Sequence, residues 1–239
     1  RELPTVRFDV EPEVYRFFAD HPDVAVSIWR VMKISQFKMF QTGPHEYEVD
    51  GQDGTVGIVD VAYSSPTEHL LLCEGSFKSP VTIRPIKARA VIHMQTSFTT
   101  NDDGKSSATH RVCFFASFPS QTIETAARLI SPVSNTIVDR NLRETSLFVH
   151  MMSVAMSRHP GWVERVAEQL EGVLDASRQE LLDVTARVYV AEQKRVLARM
   201  GHKDVTLDAV MATLRVAEEG AALRAAPPAT ASEGEPAMN

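Results

Sequence analysis

The spacing of apolar positions changes twice along the chain, from helical to alternating and back to helical. Residues 11–32 carry apolar side chains at three-to-four spacing: Val14, Phe17 and Phe18 on one face, then Val24, Ile28 and Val31 on another. Asp20-His21-Pro22-Asp23 separates the two groups. Pro12 and Pro22 sit near their starts, where a missing N–H costs least. Two short helices are predicted. Strand signals follow over 34–41, 45–50, 55–63, 68–77, 86–99 and 107–118. Between them lie Thr42-Gly43-Pro44, the stretch 51–54, the stretch 64–67, a loop holding Pro80 and Pro85, and the stretch 101–104. Short turns between about six strands predict an antiparallel sheet. The order of helices, strands and helices predicts an α+β fold, not alternating βαβ units.

The last two strands are the most informative. Even positions in the first of them are Ile86, Ala88, Ala90, Ile92, Met94, Thr96 and Phe98; odd positions include Lys87, Arg89, His93 and Gln95. In the second, the even set is Ala108, His110, Val112, Phe114, Ala116 and Phe118. Both even sets read as one inward, apolar face. Opposed residues share a face, so the pairing sum must be even. A plain two-residue turn at Asp102-Asp103 makes it odd, and a bulge with Gly104 in the left-handed region repairs it.

Helical spacing then returns. Ser120 or Gln121 opens a long segment that runs to Arg158, with Pro132 as a kink or a fresh start capped by Ser131. Val133, Ile137, Phe148, Met151 and Ala155 form its apolar stripe, interrupted by Asn141 and Glu144. Residues 160–220 read as a helical extension. Ser177-Arg178-Gln179-Glu180 matches a capping box, and Thr206 opens a last helix. Residues 221–239 are rich in Ala, Pro, Glu and Ser and are expected to be disordered.

Composition narrows the function classes. Of 239 residues, 44% are hydrophobic, which suffices for a core. The net charge of −6, with both signs mixed along the chain, argues against a nucleic-acid partner. Cys73 and Cys113 are too few for a disulfide framework or a zinc site, although one bridge between neighbouring strands stays open. No apolar run reaches the roughly 18 residues of a membrane span, and transient membrane contact stays open. The cysteine count fits the cytoplasm. The chain opens on Arg1, so an exported protein remains open too.

Two short helices, a run of antiparallel strands and one long helix, with the stretches 54–63 and 87–92, resemble the START-like or helix-grip superfamily over about residues 5–158. That group, also called SRPBCC, includes polyketide cyclases, the birch-pollen allergen family and coenzyme Q-binding proteins. The resemblance implies a curved sheet wrapped around the long helix. It further implies a cavity between them for a lipid, sterol, quinone or polyketide. Residues 1–159 are then the ligand-binding domain.

The candidate ligand-binding residues are Ala90, Ile92, Met94, Phe98, His110, Phe114 and Ala116 on the strands, with Asn141, Glu144, Phe148 and Met151 on the helix. The small residues among large ones suggest unfilled apolar space, which takes an apolar guest. No cofactor or metal is expected. His93 and His110 have opposite parity, and no H-x-x-x-H, G-x-S-x-G or C-x-x-C occurs. Arg84, Lys87 and Arg89 read as a solvated face or a headgroup patch. The leading expectation is a binding or carrier protein. One alternative is a cyclase or hydratase in the same cavity, drawing on Glu144, His110 and Tyr63. Another is a dimerising scaffold acting through 160–220.

Overall fold

The structure, a computed structural model, describes residues 1–78, 85–118 and 121–200, without the side chains of 121–135 and 137. Pro80, Arg84, the Val133 and Ile137 side chains, the Thr206 helix and the 221–239 tail therefore lie outside the described residues.

The fold is α+β, with a curved antiparallel sheet and a long helix. Its elements are β1 (Val6–Asp9), α1 (Pro12–Asp20), α2 (Pro22–Val31), β2 (Lys38–Gln41), β3 (Glu46–Asp50), β4 (Thr55–Ser64), β5 (Glu68–Phe77), β6 (Ile86–Thr100), β7 (Ser106–Ser117), α3 (Gln121–Arg158), α4 (Pro160–Ala167) and α5 (Asp175–Arg199). The seven strands lie in the order β1-β7-β6-β5-β4-β3-β2. The additional strand is β1, which pairs with β7 at the sheet edge. At four residues it is too short for alternation to announce it.

Three boundaries depart from expectation for local reasons. β2 begins at Lys38, not at residue 34. Lys33 adopts a positive φ of 58°, and the Ile34 N–H turns back to Trp29 O at 2.8 Å, so the chain first wraps over the end of α2. In β4 the pairing slips between Val61 and Tyr63, which sends Tyr63 to the outward face, away from Val59 and Val61. α5 starts at Asp175, so Ser177 is buried inside the first turn and does not cap it.

The β6–β7 register has the expected parity: Ala90 opposes Ala116, Ile92 opposes Phe114 and Thr96 opposes His110. Gly104, at φ 73°, closes the connection, with Lys105 O accepting from the Asn101 N–H at 2.9 Å. Cys73 and Cys113 lie on strands that are not neighbours, and both are free thiols.

The close-packed core is mostly helical. It joins Val14, Phe17 and Phe18 of α1, Val24 and Ile28 of α2, and Phe148, Val149, Met152 and Met156 of α3. Val163 and Val166 of α4 and Leu181, Val184 and Val188 of α5 belong to the same cluster. The compact unit accordingly runs Arg1–Glu192, and the boundary expected at 159 falls inside it. A second unit begins at Gln193; its described part is the last turns of α5.

Candidate functional site

Ladder parity assigns the inward face across four strands. Even positions of β6 and β7 share it with Leu71 and Cys73 of β5 and Val59 and Val61 of β4. Near α1, this face is dry and filled. Thr96, Ala108, His110 and Val112 are all buried there. Tyr15 reaches in from α1, its hydroxyl 2.6 Å from Thr96 Oγ1 and 3.5 Å from Met94 Sδ. Phe98 packs edge-on against Tyr15, with ring centroids 5.5 Å apart.

Farther along the same face the packing loosens. Val59, Val61, Leu71, Cys73, Ala90, Ile92 and Phe114 are only half-buried. Ala108 is the single β-strand residue in the main core cluster. Among the described residues, this stretch is a half-buried apolar wall outside the main core cluster. At its far end Gly57 faces Gly75, which faces Ala88. A Cβ on Gly57 would stand 2.6 Å from Glu74 O, so the strands approach too closely there for a side chain.

His110 is the polar group of this face. The single Ser146 hydroxyl proton goes to Leu142 O at 2.7 Å, so His110 Nε2 donates to Ser146 Oγ at 3.2 Å. Its Nδ1 is then a buried acceptor with no partner. Burial lowers the imidazole to a pKa of about 4, and the ring is neutral at neutral pH.

The eleven expected ligand-binding residues are not all brought together. Ala90, Ile92, Met94, Phe98, His110 and Phe114 share the inward face. Ala116 shares it by register but is exposed near the strand end. Asn141 and Glu144 are exposed, and Glu144 lies 3.5 Å from Arg140 one turn earlier. Phe148 is buried in the helical core against Phe18 and Trp29. Met151 is exposed, whereas Met152 and Met156 are buried. The buried stripe is 148, 149, 152 and 156, so the expected phase of α3 was displaced. Of the three acid–base candidates, only His110 faces inward: Glu144 and Tyr63 are both exposed.

A second polar group, unexpected from sequence, sits where the α1–α2 corner meets β3, β4 and β5. Tyr47 donates to Asp20 O at 3.1 Å, Ser64 donates to Asp20 Oδ1 at 2.9 Å, and His69 Nε2 lies 3.4 Å from the same oxygen. The His69 hydrogen bond holds the Asp20 carboxyl below its usual range. Burial pushes Asp23 up, and burial with the nearby Asp23 and Asp20 charges pushes Tyr47 to about 12. Tyr47 and His69 have inward parity, a signal that could have found them. Asp20 and Asp23 flank Pro22 and read only as a turn.

Two depressions open elsewhere. One of about 850 Å³ is lined mainly by outward-facing residues, among them Glu48, Val56, Ile58 and Lys87, with Glu74 and Arg89 paired at 2.8 Å. None of the expected site residues lines it. The other, about 520 Å³, lies where α2, α3 and α4 meet and includes Met151. Among the described residues no cluster could hold a metal ion, and no helix is long and apolar enough to cross a membrane.

No protein family and no curated protein matches the sequence. Among solved structures, the chain is similar to a conserved protein from Geobacillus kaustophilus. That likeness has 13% identity over 70% of this chain and 95% of the other, with a TM-score of 0.41. It is also similar to Ara h 8.0201, at 10% identity over 59% of this chain and 99% of the other, with a TM-score of 0.30.

Proposed function

We propose that the protein binds and carries a hydrophobic small molecule of the lipid, sterol, quinone or polyketide class, held against the inward sheet face beside α3. The observation that supports this reading is the half-buried apolar wall. Val59, Val61, Leu71, Ile92 and Phe114 stand in register, each half-buried and outside the main core cluster of the described residues. A guest that covers this wall removes apolar surface from water, worth about 25 cal/mol per Å². Met94, half-buried where the wall meets the filled region around His110, lends it an adaptable surface.

The test is native mass spectrometry of the purified protein, looking for a co-purified apolar molecule. Ala90 lies between Cys73 and Ala116 in the middle of the wall. Ala90→Trp should abolish retention of that molecule while the thermal transition survives. Retention unchanged in a folded Ala90→Trp variant would remove the site from this face.

A further inference from the structure

We infer that the surface around the α2–α3–α4 junction docks on an anionic lipid bilayer. The inference is independent of the carrier reading, since it uses the opposite side of α3. Three exposed apolar side chains step along that side: Leu147 at 57% exposure, Met151 at 46% and Val154 at 36%. Their spacing of four and three residues puts them on one helical stripe. Met151 also lines the groove with Met32, Ala155 and Trp162, so the stripe continues onto α2 and α4. Two residues past Met32 stands Ile34, 61% exposed at the turn where Lys33 takes its positive φ. Apolar side chains this exposed and this close together mark a contact surface.

The charges around this surface identify the occupant. Lys33, Arg158 and Arg165 are exposed, border the apolar residues and make no ion pair among the described residues. The cations that do pair here are occupied by their own carboxylates, Arg30 by Glu171 and Arg140 by Glu144. Glu164 of α4 and Glu168 just past its end neutralise part of the rim without pairing with Arg165. Unpaired cations beside protruding aliphatic groups and a tryptophan suit the headgroup boundary of an anionic membrane. The cations meet the headgroups there, and the apolar tips enter the acyl region. Ile34, Leu147 and Val154 stand outside the groove, so the occupant must cover more than the groove itself. That favours a lipid surface over a single docked helix.

The test uses the full chain and sedimenting vesicles of phosphatidylcholine, with and without phosphatidylserine. The protein should pellet with the serine-containing vesicles and leave them at high salt. Ile34→Glu with Met151→Glu should weaken binding about tenfold or more, and Lys33→Gln with Arg165→Gln should weaken it and flatten its salt dependence. All four positions are solvent-facing, and an unchanged thermal transition verifies folding. Protein that stays in the supernatant with both vesicle types overturns the inference. So does binding that survives the Glu pair. A dimer in light scattering that Met151→Glu dissolves, without vesicle binding, would instead assign this surface to a second copy.

Discussion

Asp23 has no exposed surface, neither of its carboxylate oxygens has a well-formed hydrogen bond, and the nearby backbone N–H groups of Val24 and Asp23 and the His21 ring offset its burial only in part. Two effects compete there. The residue lies in the first turn of α2, where a negative charge gains roughly 0.3–1 kcal/mol from the helix dipole. A buried carboxylate without partners loses roughly 1–3 kcal/mol or more. Burial wins, which is why the carboxyl is pushed up. The sign follows from linkage. A carboxyl whose folded pKa is raised costs nothing while both states are protonated; its penalty grows as pH rises past the unfolded value and is complete above the folded one. Asp23→Asn should therefore raise stability by about 1 kcal/mol at neutral pH and change little in acid, where Asp23 is already neutral. Urea melts of both proteins at the two pH values check this. Asp20, whose carboxyl is held low by His69, acts in the opposite sense. Only the difference between variant and parent isolates Asp23. None of this was legible in the sequence, because Asp20 and Asp23 flank a proline and look like ordinary turn residues.

The strands were more legible than the long helix, for a physical reason. A strand has two faces and a period of two, so one apolar set settles which way every side chain points. That is how the even positions of β6 and β7, the inward placement of His110 and the bulge at Gly104 are legible in the alternation alone. The slip at Ala62 escaped, since Val61-Ala62-Tyr63 contains no glycine or proline to mark a bulge. In α3 the period was visible but the phase was not. Between residues 147 and 156 apolar side chains occupy both sides of the helix. Leu147, Met151 and Val154 face solvent, while Phe148, Val149, Met152 and Met156 face the core. Sequence spacing supports either stripe, and only packing against α1, α2 and α4 chooses. Two methionines on this helix measure the choice. Met156 is fully buried, so Met156→Ala should cost about 2–5 kcal/mol through lost contacts and a residual cavity. Met151→Ala, one turn away on the exposed side, should cost under about 0.5 kcal/mol. Denaturant unfolding of the pair reads the difference directly; equal losses would return Met151 to the interior.

At the scale of the whole molecule, residues 160–220 read as a helical extension of the resembled domain, and the compact unit takes in its first part, to Glu192. α4, α5 and the connection between them place Val163, Val166, Leu170, Leu181, Val184 and Val188 in the same cluster as Phe17, Ile28 and Met156. Ser27 Oγ bonds to Glu171 O at 3.2 Å, and the carboxylate of Glu13 pairs with Arg187, so polar contacts tie α1 and α2 to the same segment. The apolar faces of α1 and α2 would have too little to pack on without these helices, because the strands contribute little of the core. Burying a side chain of valine or leucine size is worth about 1.5–3 kcal/mol. The loss of six of them, about 9–18 kcal/mol, is as large as the roughly 5–15 kcal/mol by which a domain of this size is stable. A chain ending at residue 159 should therefore lack a cooperative thermal transition and a near-ultraviolet dichroism signal. One ending at residue 199 keeps the whole cluster and should melt cooperatively. α4 and α5 then complete the helical layer that meets the sheet through α1 on β7, α2 on β2 and α3 on β1. If the shorter chain melted as sharply as the longer one, α4 and α5 would be an annex, and the sheet would have to draw its support from α1, α2 and α3 alone.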